Sequence, residues 1–182
     1  MEATLNLFLS TFETKIDKKG RISIPARYRS LLEKSEEELI LFSTPESNYV
    51  QGCGNNYIKR LWETNLELDQ ISNEALYIQD ILSDSIHAKI DAEGRILLSD
   101  KLIEIAKLTS TVLFAGRGET FQIWDPENFN IAKEERSKKA ILAKSDFGQG
   151  YYNLGLVQNK LGKIKEAINN YKLAIKFQPD LA

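Results

Sequence analysis

The side chains best suited to chemistry lie in one short basic stretch, residues 14–32. Asp17 is followed there by two lysines, Gly20 and Arg21, so a carboxylate stands four residues before a guanidinium. Asp favours a turn in which its side chain binds the backbone, and glycine supplies a positive φ without steric cost. The spacing therefore predicts a tight turn with cationic side chains at its tip. Lysine and arginine in such a place can contact phosphates, and arginine can also bind a guanine edge through two hydrogen bonds.

The same stretch returns 74 positions later, at residues 88–105. The matching pairs are Lys15/Lys89, Ile16/Ile90, Asp17/Asp91, Gly20/Gly94, Arg21/Arg95, Ile22/Ile96 and Ile24/Leu98. A repeat of this kind indicates one supersecondary unit used twice.

The elements that position these side chains follow from the local pattern. Polar and apolar residues alternate before Asp17 and again over residues 21–24, which predicts two half-buried strands joined by the turn. Pro25 suits the first position of a helix, and Ser99 is a plausible N-cap at the same place in the second copy. The helix after Pro25 presents one apolar face, formed by Tyr28, Leu31 and Leu32. The unit is thus strand, tight turn, strand, short helix.

The remaining segments predict further strands and helices. Strands are expected at residues 5–12, 39–43, 112–115 and 120–124, and helices at residues 57–68, 74–82 and 126–144, with a turn-rich loop over 45–56. Asn73 is the expected cap of the second of these helices, and residues 116–118 are expected to form a turn. Trp62 and Trp124 fall in amphipathic segments, so both are predicted to be core residues.

The two Asp-x-x-Gly-Arg turns, the Ile-Ser-Ile-Pro-Ala-Arg-Tyr-Arg segment from Ile22 and the later Phe-Gln-Ile-Trp-Asp-Pro segment carry a family resemblance. Over roughly residues 5–143 the chain closely resembles the MraZ family of bacterial transcriptional regulators, within the AbrB/SpoVT group. The resemblance implies an α+β fold in which two swapped-hairpin lobes, residues 1–74 and 75–144, form a double-split β-barrel with short helices. Ser99 departs from the family pattern, which usually has proline there.

The resemblance also implies a function. Members of this family are cytoplasmic, nucleoid-associated DNA-binding proteins that repress the promoter of the division and cell-wall gene cluster. They assemble into rings that present many copies of the motif to repeated short DNA boxes. This chain is therefore expected to bind double-stranded promoter DNA as a homo-oligomeric ring.

Local charge indicates which copy contacts the DNA. Residues 11–34 carry seven basic and three acidic residues, a net charge of +4, whereas residues 87–110 carry four of each. Since phosphate contacts supply most non-specific affinity, the first lobe is predicted to bind DNA. The predicted contacts are Lys15, Asp17, Lys18, Lys19, Gly20, Arg21, Arg27 and Arg29. Asp91, Gly94 and Arg95 are predicted to be structural or a weaker contact. The alternative for Asp17 and Arg21 is that they only clamp the turn.

Residues 145–182 change character and resemble one tetratricopeptide repeat, an all-α helical hairpin. The resemblance is carried by Tyr151, Leu154, Gly155, Ala167, Tyr171, Ala174 and Pro179, with a turn at residues 161–163, whereas Gln158 departs from the expected aromatic residue. A single repeat cannot bury its own apolar face. It is therefore expected to dock on the regulator body, stack against another subunit or stay partly mobile. Residues 148–181 are also the expected site of any protein partner.

Composition excludes several other classes. His87 is the only histidine and Cys53 the only cysteine, so an internal disulfide framework is impossible, and neither a histidine-based triad nor a cysteine-histidine metal set is expected. Neither an enzyme nor a cofactor is expected. No apolar run approaches the ~20 residues that span a bilayer, and the acidic start argues against a signal peptide, so no membrane partner is expected. Two alternatives remain: an oligomeric scaffold that recruits a partner through the tail, and an antitoxin-like regulator of the same fold.

Overall fold

A computed structural model describes residues 6–44 and 47–179 of the chain. The strands are β1 (Thr11–Lys15), β2 (Arg21–Ser23), β3 (Leu39–Phe42), β4 (Tyr49–Gly54), β5 (Ile86–His87), β6 (Arg95–Leu97), β7 (Thr111–Gly116) and β8 (Thr120–Trp124). The helices are α1 (Ala26–Lys34), α2 (Asn55–Leu66), α3 (Asn73–Asp84), α4 (Asp100–Ile105), α5 (Pro126–Lys160) and α6 (Ile164–Phe177). The chain divides into two compact units, one ending at Phe129 and the other starting at Asn130.

The first unit is built on a six-stranded sheet in the order β1-β7-β8-β4-β3-β5. Every pairing in it is antiparallel, with Phe12 opposite Phe114 and Val50 opposite Ile123. The predicted α+β class with an antiparallel sheet is confirmed. The six-stranded sheet does not by itself make a closed barrel.

A second, two-stranded sheet joins the two copies of the repeated unit. Strand β2 pairs antiparallel with β6, which places Arg21 opposite Leu97 and Ser23 opposite Arg95. In the first copy, β1 pairs along its length with β7, and it meets β2 at one bridge, Ile16 to Ile22, next to a hydrogen bond from the Asp17 amide to the Arg21 carbonyl. The two strands that flank the first turn therefore belong to different sheets.

The repeat is also a repeat of the core. The buried residues of the first copy are Ile22, Ile24, Tyr28 and Leu32, and those at the same positions in the second copy are Ile96, Leu98, Leu102 and Ala106. All eight belong to one apolar cluster. Burial of this face explains why α1 and α4 form where the alternating strand pattern gives way to helical spacing. Tyr28 is central, with its ring 5.1 Å from Phe8 and 5.4 Å from Phe12, and its hydroxyl donates to the Ser10 carbonyl at 2.9 Å.

Several element boundaries differ from the sequence-based expectation. The strand expected at residues 5–12 begins instead at Thr11, because Ser10 has a positive φ of 71° that interrupts the extended backbone. Leu5, where that strand was expected to start, lies outside the described residues. Strand β4 falls inside the segment expected to be a loop, of which residues 45 and 46 are likewise not described. Gly52 lies in the segment that was expected to be a loop, yet it is a strand residue, and the absence of a side chain there makes room for the Phe121 ring.

The starts of α1, α3 and α4 were predicted to within one residue, whereas α2 begins at Asn55, two residues before the expected start. Pro25 is the N-cap of α1 rather than its first residue, since its ψ of 132° is extended. Ser99 caps α4 as expected, and its side chain accepts a hydrogen bond from the Leu102 amide at 3.4 Å. The cap of α3 is Ser72, not Asn73, and it accepts from the Ala75 amide at 3.1 Å.

The two tryptophans behave differently. Trp124 is 4% exposed and packs its ring 4.6 Å from Tyr49, which confirms a core residue. Trp62 is 48% exposed, so its predicted place in the core is wrong. Helix α2 packs against the sheet through Tyr57, Ile58 and Leu61, and Trp62 lies outside that stripe.

The second unit contains a helical hairpin. Helix α5 was expected to end near Lys144 but continues to Lys160, through Gly148, Gly150 and Gly155. A turn with Gly162 at a φ of 73° then leads into α6. The helices pack closely because Gly155 leaves room for the Tyr171 ring and Ala167 and Ala174 are buried. The predicted C-terminal hairpin is confirmed.

Candidate nucleic-acid interface

The first turn is held by a carboxylate clamp. Oδ1 of Asp17 accepts from the backbone amides of Lys19 at 2.8 Å and Arg21 at 3.0 Å, and Oδ2 accepts from Arg21 Nε at 2.7 Å. Arg21 Nη2 lies 2.6 Å from the same oxygen. The hydrogen bond from the Arg21 amide, followed by that from its side chain, lowers the pKa of Asp17 to about 2. The carboxylate is therefore ionised at neutral pH and orients the guanidinium.

The second turn repeats this clamp. Asp91 accepts from the Glu93 and Arg95 amides, each at 2.9 Å, and from Arg95 Nε at 2.9 Å. The hydrogen bond from the Arg95 amide is the main cause that lowers the pKa of Asp91. The clamp is thus a property of the motif in both copies, and whether Asp91 and Arg95 also contact DNA stays a prediction.

The two turns differ in the side chains at the tip. Lys18 and Lys19 of the first turn correspond to Ala92 and Glu93 of the second. Arg95 contacts Glu93 Oε2 through Nη1 as well as Asp91 through Nη2, whereas Arg21 forms an ion pair with Asp17 alone among the described residues. The first tip therefore has two exposed ammonium groups and a guanidinium with one carboxylate. The second tip has a guanidinium held between two carboxylates.

Arg29 does not lie at the first tip. Its guanidinium is half-buried and Nη1 donates to the carbonyls of Ile24 and Gly94, both at 3.3 Å. It occupies the space that a side chain on Gly94 would need. Residue 103, the matching position of the second copy, is an isoleucine that packs on Gly20 in the same way. The structure thus gives Arg29 a packing role against the second turn.

The other predicted contacts are accessible. Lys15, Lys18, Lys19 and Arg27 are exposed, and the Arg21 side chain is 35% exposed. Gly20 is buried with a φ of 79°, and its carbonyl accepts from the Leu98 amide at 3.0 Å. Gly20 therefore sets the turn and offers no side chain to a ligand.

One exposed residue beside this turn was not predicted. Leu97 is 62% exposed and lies opposite Arg21 across the β2–β6 pair. Its matching position in the first copy is Ser23, which lies opposite Arg95. No signal in the linear sequence places Leu97 next to Arg21, because the two residues are 76 positions apart.

The described residues also bear on a metal site and on a membrane segment. No group of three or more His, Cys, Asp or Glu among them is arranged to hold a metal ion. Within the same ranges, no helix has both the length and the apolar character that crossing a bilayer requires.

Comparison of the sequence with known protein families and proteins identifies the same MraZ region that the two turns indicated. The family described as "MraZ protein, putative antitoxin-like" matches residues 7–44 and 81–146, more than half of the chain, and the tetratricopeptide repeat family matches residues 148–181. Transcriptional regulator MraZ of Pelagibacter ubique is 39% identical over 141 residues, which cover 76% of this chain and 91% of that protein.

The Rickettsia bellii protein of the same name is 36% identical over 128 residues, 69% of this chain and 85% of its own length. The Rickettsia peacockii protein, also named transcriptional regulator MraZ, is 33% identical over 147 residues, 78% of this chain and 99% of its own length. The chain therefore belongs to the MraZ family and carries a tetratricopeptide repeat after the MraZ region.

Proposed function

We propose that this protein is a DNA-binding transcriptional regulator that contacts DNA through the first turn. Its family is one of transcriptional regulators rather than enzymes, as the names of its relatives state. The observation that carries the proposal is the contrast between two turns with the same clamp. Only the turn at Asp17 has lysines at its tip and a net positive charge there, whereas Arg95 of the second turn is held between two carboxylates. The first turn is therefore the better suited of the two to a polyanion.

The clamp gives Arg21 its role in this proposal. Asp17 engages Nε and Nη2, so the planar group is held in one orientation before DNA arrives. Nη1 and the second hydrogen of Nη2 remain as donors of the five that a guanidinium has. We propose that they bind a guanine edge or a phosphate, while Lys18 and Lys19 neutralise neighbouring phosphates.

The remaining predicted contacts differ in whether they reach the DNA directly or only support the interface. Lys15 and Arg27 are exposed and add to the positive field, whereas Arg29 supports the interface indirectly through Gly94. Leu97 is suited to an apolar contact, such as one with a thymine methyl group.

The assembly is proposed from the family and from charge. A net charge of +4 around one turn gives a single copy only modest affinity, so useful binding requires several linked copies. We therefore propose a homo-oligomeric ring of swapped-hairpin, double-split barrels, with residues 1–74 and 75–144 as its lobes and residues 145–182 as an appended domain. It would act in the cytoplasm at the nucleoid, as a repressor at repeated promoter boxes of the division and cell-wall cluster.

Two arginine variants test the proposal. Arg21→Ala and Arg95→Ala remove the same clamp contacts from the two turns, so each serves as the structural control of the other. Gel shift against a duplex with repeated boxes should show loss of specific binding for Arg21→Ala and a smaller effect for Arg95→Ala, with circular dichroism unchanged for both. Equal loss from the two variants would contradict the assignment to the first turn.

A second candidate function is protein recruitment through the tetratricopeptide repeat. It is favoured by residues 148–181 matching that family and by exposed apolar side chains on the hairpin, namely Leu154, Val157, Ile168 and Ile175. An oligomeric scaffold of this kind, or an antitoxin-like regulator, would bind its partner through the hairpin. A salt titration separates the scaffold from the DNA-binding function, because a scaffold has no DNA affinity to lose.

A further inference from the structure

Charge is distributed unevenly between the two units. Residues 1–129 contain fourteen basic and twenty-one acidic residues, whereas residues 130–182 contain ten basic and five acidic residues. The overall net charge of −2 therefore conceals a C-terminal unit with a net charge of +5. The C-terminal unit is thus basic although the chain as a whole is slightly acidic.

The charge of the hairpin is concentrated on one side of α6. Lys165, Lys172 and Lys176 are spaced seven and four residues apart, so they lie within about 40° of one another around the helix axis. All three are exposed. The opposite face of α6 is the one that packs in the hairpin, through the buried residues Ala167, Asn170 and Ala174. We call Lys165, Lys172 and Lys176 the lysine row.

Among the described side chains, no acid forms an ion pair with the lysine row. Glu166 is the only acidic residue between positions 147 and 179, against five lysines. In the part of the chain whose side chains are described, every ion pair lies in the first unit. Lys172 and Lys176 also form a like-charged i,i+4 pair, which disfavours an isolated helix. The row is thus an uncompensated cationic surface rather than a helix face with internal salt bridges.

The dimensions of the row suit a nucleic-acid backbone. Eleven residues of helix extend about 16 Å, and each DNA strand carries a phosphate about every 3.4 Å along the duplex axis. Lysine is a flexible point charge that accepts many phosphate positions and carries no base preference by itself. We propose that the lysine row binds the phosphate backbone of double-stranded DNA independently of sequence.

This inference rests on the proposed function, because the DNA is the one that the first turn binds. The row would add affinity and salt dependence without adding specificity, which remains with the turn. It assigns the tetratricopeptide-like hairpin a second ligand class beside the protein partner that its family suggests.

The test compares two triple variants with the same change in charge. The first replaces Lys165, Lys172 and Lys176 by Gln, which retains helix propensity. The control replaces Lys59, Lys101 and Lys107, three exposed lysines outside both the row and the first turn, by Gln. Binding of the full-length proteins to a promoter duplex and to a scrambled duplex is measured by fluorescence anisotropy between 50 and 200 mM salt, and circular dichroism checks the helix content.

We assume that each lysine of the row neutralises one phosphate. The slope of log K against log salt should then be less steep by about 2.7 per bound chain in the row variant than in the wild type. Over this fourfold range of salt, the wild-type protein should then lose about 40-fold more affinity than the variant. The reduction at low salt should be equal for both duplexes. The control should retain the wild-type slope.

Identical slopes for the two triple variants would overturn the inference, and so would a loss limited to the promoter duplex. If the row variant binds both duplexes normally but loses a protein that the wild type retains, the surface is a protein site and the inference is likewise wrong.

A Lys18→Ala/Lys19→Ala variant separates the two proposals. If it binds normally while the row variant does not, the first-turn assignment fails and the lysine row stands. If the wild type binds neither duplex, both fail.

Discussion

Exchanging the tips of the two turns should move DNA affinity from one turn to the other. The structure allows the exchange because the clamp uses the backbone amides of residues 19 and 93, not their side chains. Ala92→Lys with Glu93→Lys adds two cations to the second turn and removes the carboxylate that contacts Arg95 Nη1. Lys18→Ala with Lys19→Glu gives the first turn the residues that the second one has.

The magnitude follows from counterion release. Two lysines that each neutralise one phosphate change the slope of log K against log salt by about 1.8 per chain. Between 50 and 200 mM salt, this corresponds to about a 12-fold change in relative affinity. We expect the first-turn variant to lose this amount and the second-turn variant to gain slope in the same assay.

Fluorescence anisotropy with a promoter duplex and a scrambled duplex measures both effects, and thermal melting confirms that each variant folds. Because a glutamate at position 19 would engage Arg21 Nη1 as Glu93 engages Arg95 Nη1, the first-turn variant should also lose specificity for the promoter duplex. Lys18→Ala with Lys19→Ala adds no carboxylate, so it serves as the control that should lose affinity but keep the ratio between the two duplexes. A first-turn variant with an unchanged slope would refute the reasoning. So would a second-turn variant whose slope rises while the wild-type first turn contributes none.

Three further predictions concern stability. Tyr28→Phe leaves the Ser10 carbonyl without its hydroxyl donor and should lower the free energy of unfolding in urea by about 1 kcal/mol. Gly94→Ala should cost more than Gly118→Ala in the same assay, since both glycines have positive φ but only at Gly94 does the new methyl group meet a neighbour, Arg29. The Asp17 clamp should be fully stabilising above pH ~4 and weaken as the pH falls through its folded pKa of about 2. Acid unfolding of Asp17→Asn, monitored by circular dichroism, should lack that part of the pH dependence.

The repeat was the most informative feature of the sequence. Positions 22, 24, 28 and 32 and their counterparts 74 residues later all prove to be buried, because both copies pack the same face into one core. The Asp-to-Arg clamp was an explicit alternative, and it forms in both turns. Its local character made it predictable, since all of its partners lie within four residues.

The failures have a common cause. Strand β4 contains Gly52 and Gly54, which favour a turn locally, yet the Phe121 ring occupies the space beside Gly52 and the Glu37 side chain the space beside Gly54. Trp62 has the hydrophobicity of a core residue, but whether a helix face is covered depends on the elements around it. Helix α5 passes the expected boundary at Lys144 and continues through Gly148 and Gly150, so local helix-disfavouring residues did not mark its end.

The amino-acid sequence by itself determined the duplicated turn, the charge of its tip, the family and the C-terminal repeat, all of which depend on residue identity and short spacing. Only the tertiary structure decided that β2 pairs with β6, that Arg29 packs on Gly94 and that Leu97 lies beside Arg21. Each of these contacts joins residues more than 60 positions apart. Such pairings are selected by the burial of the shared core rather than by local preference, and no local pattern records them.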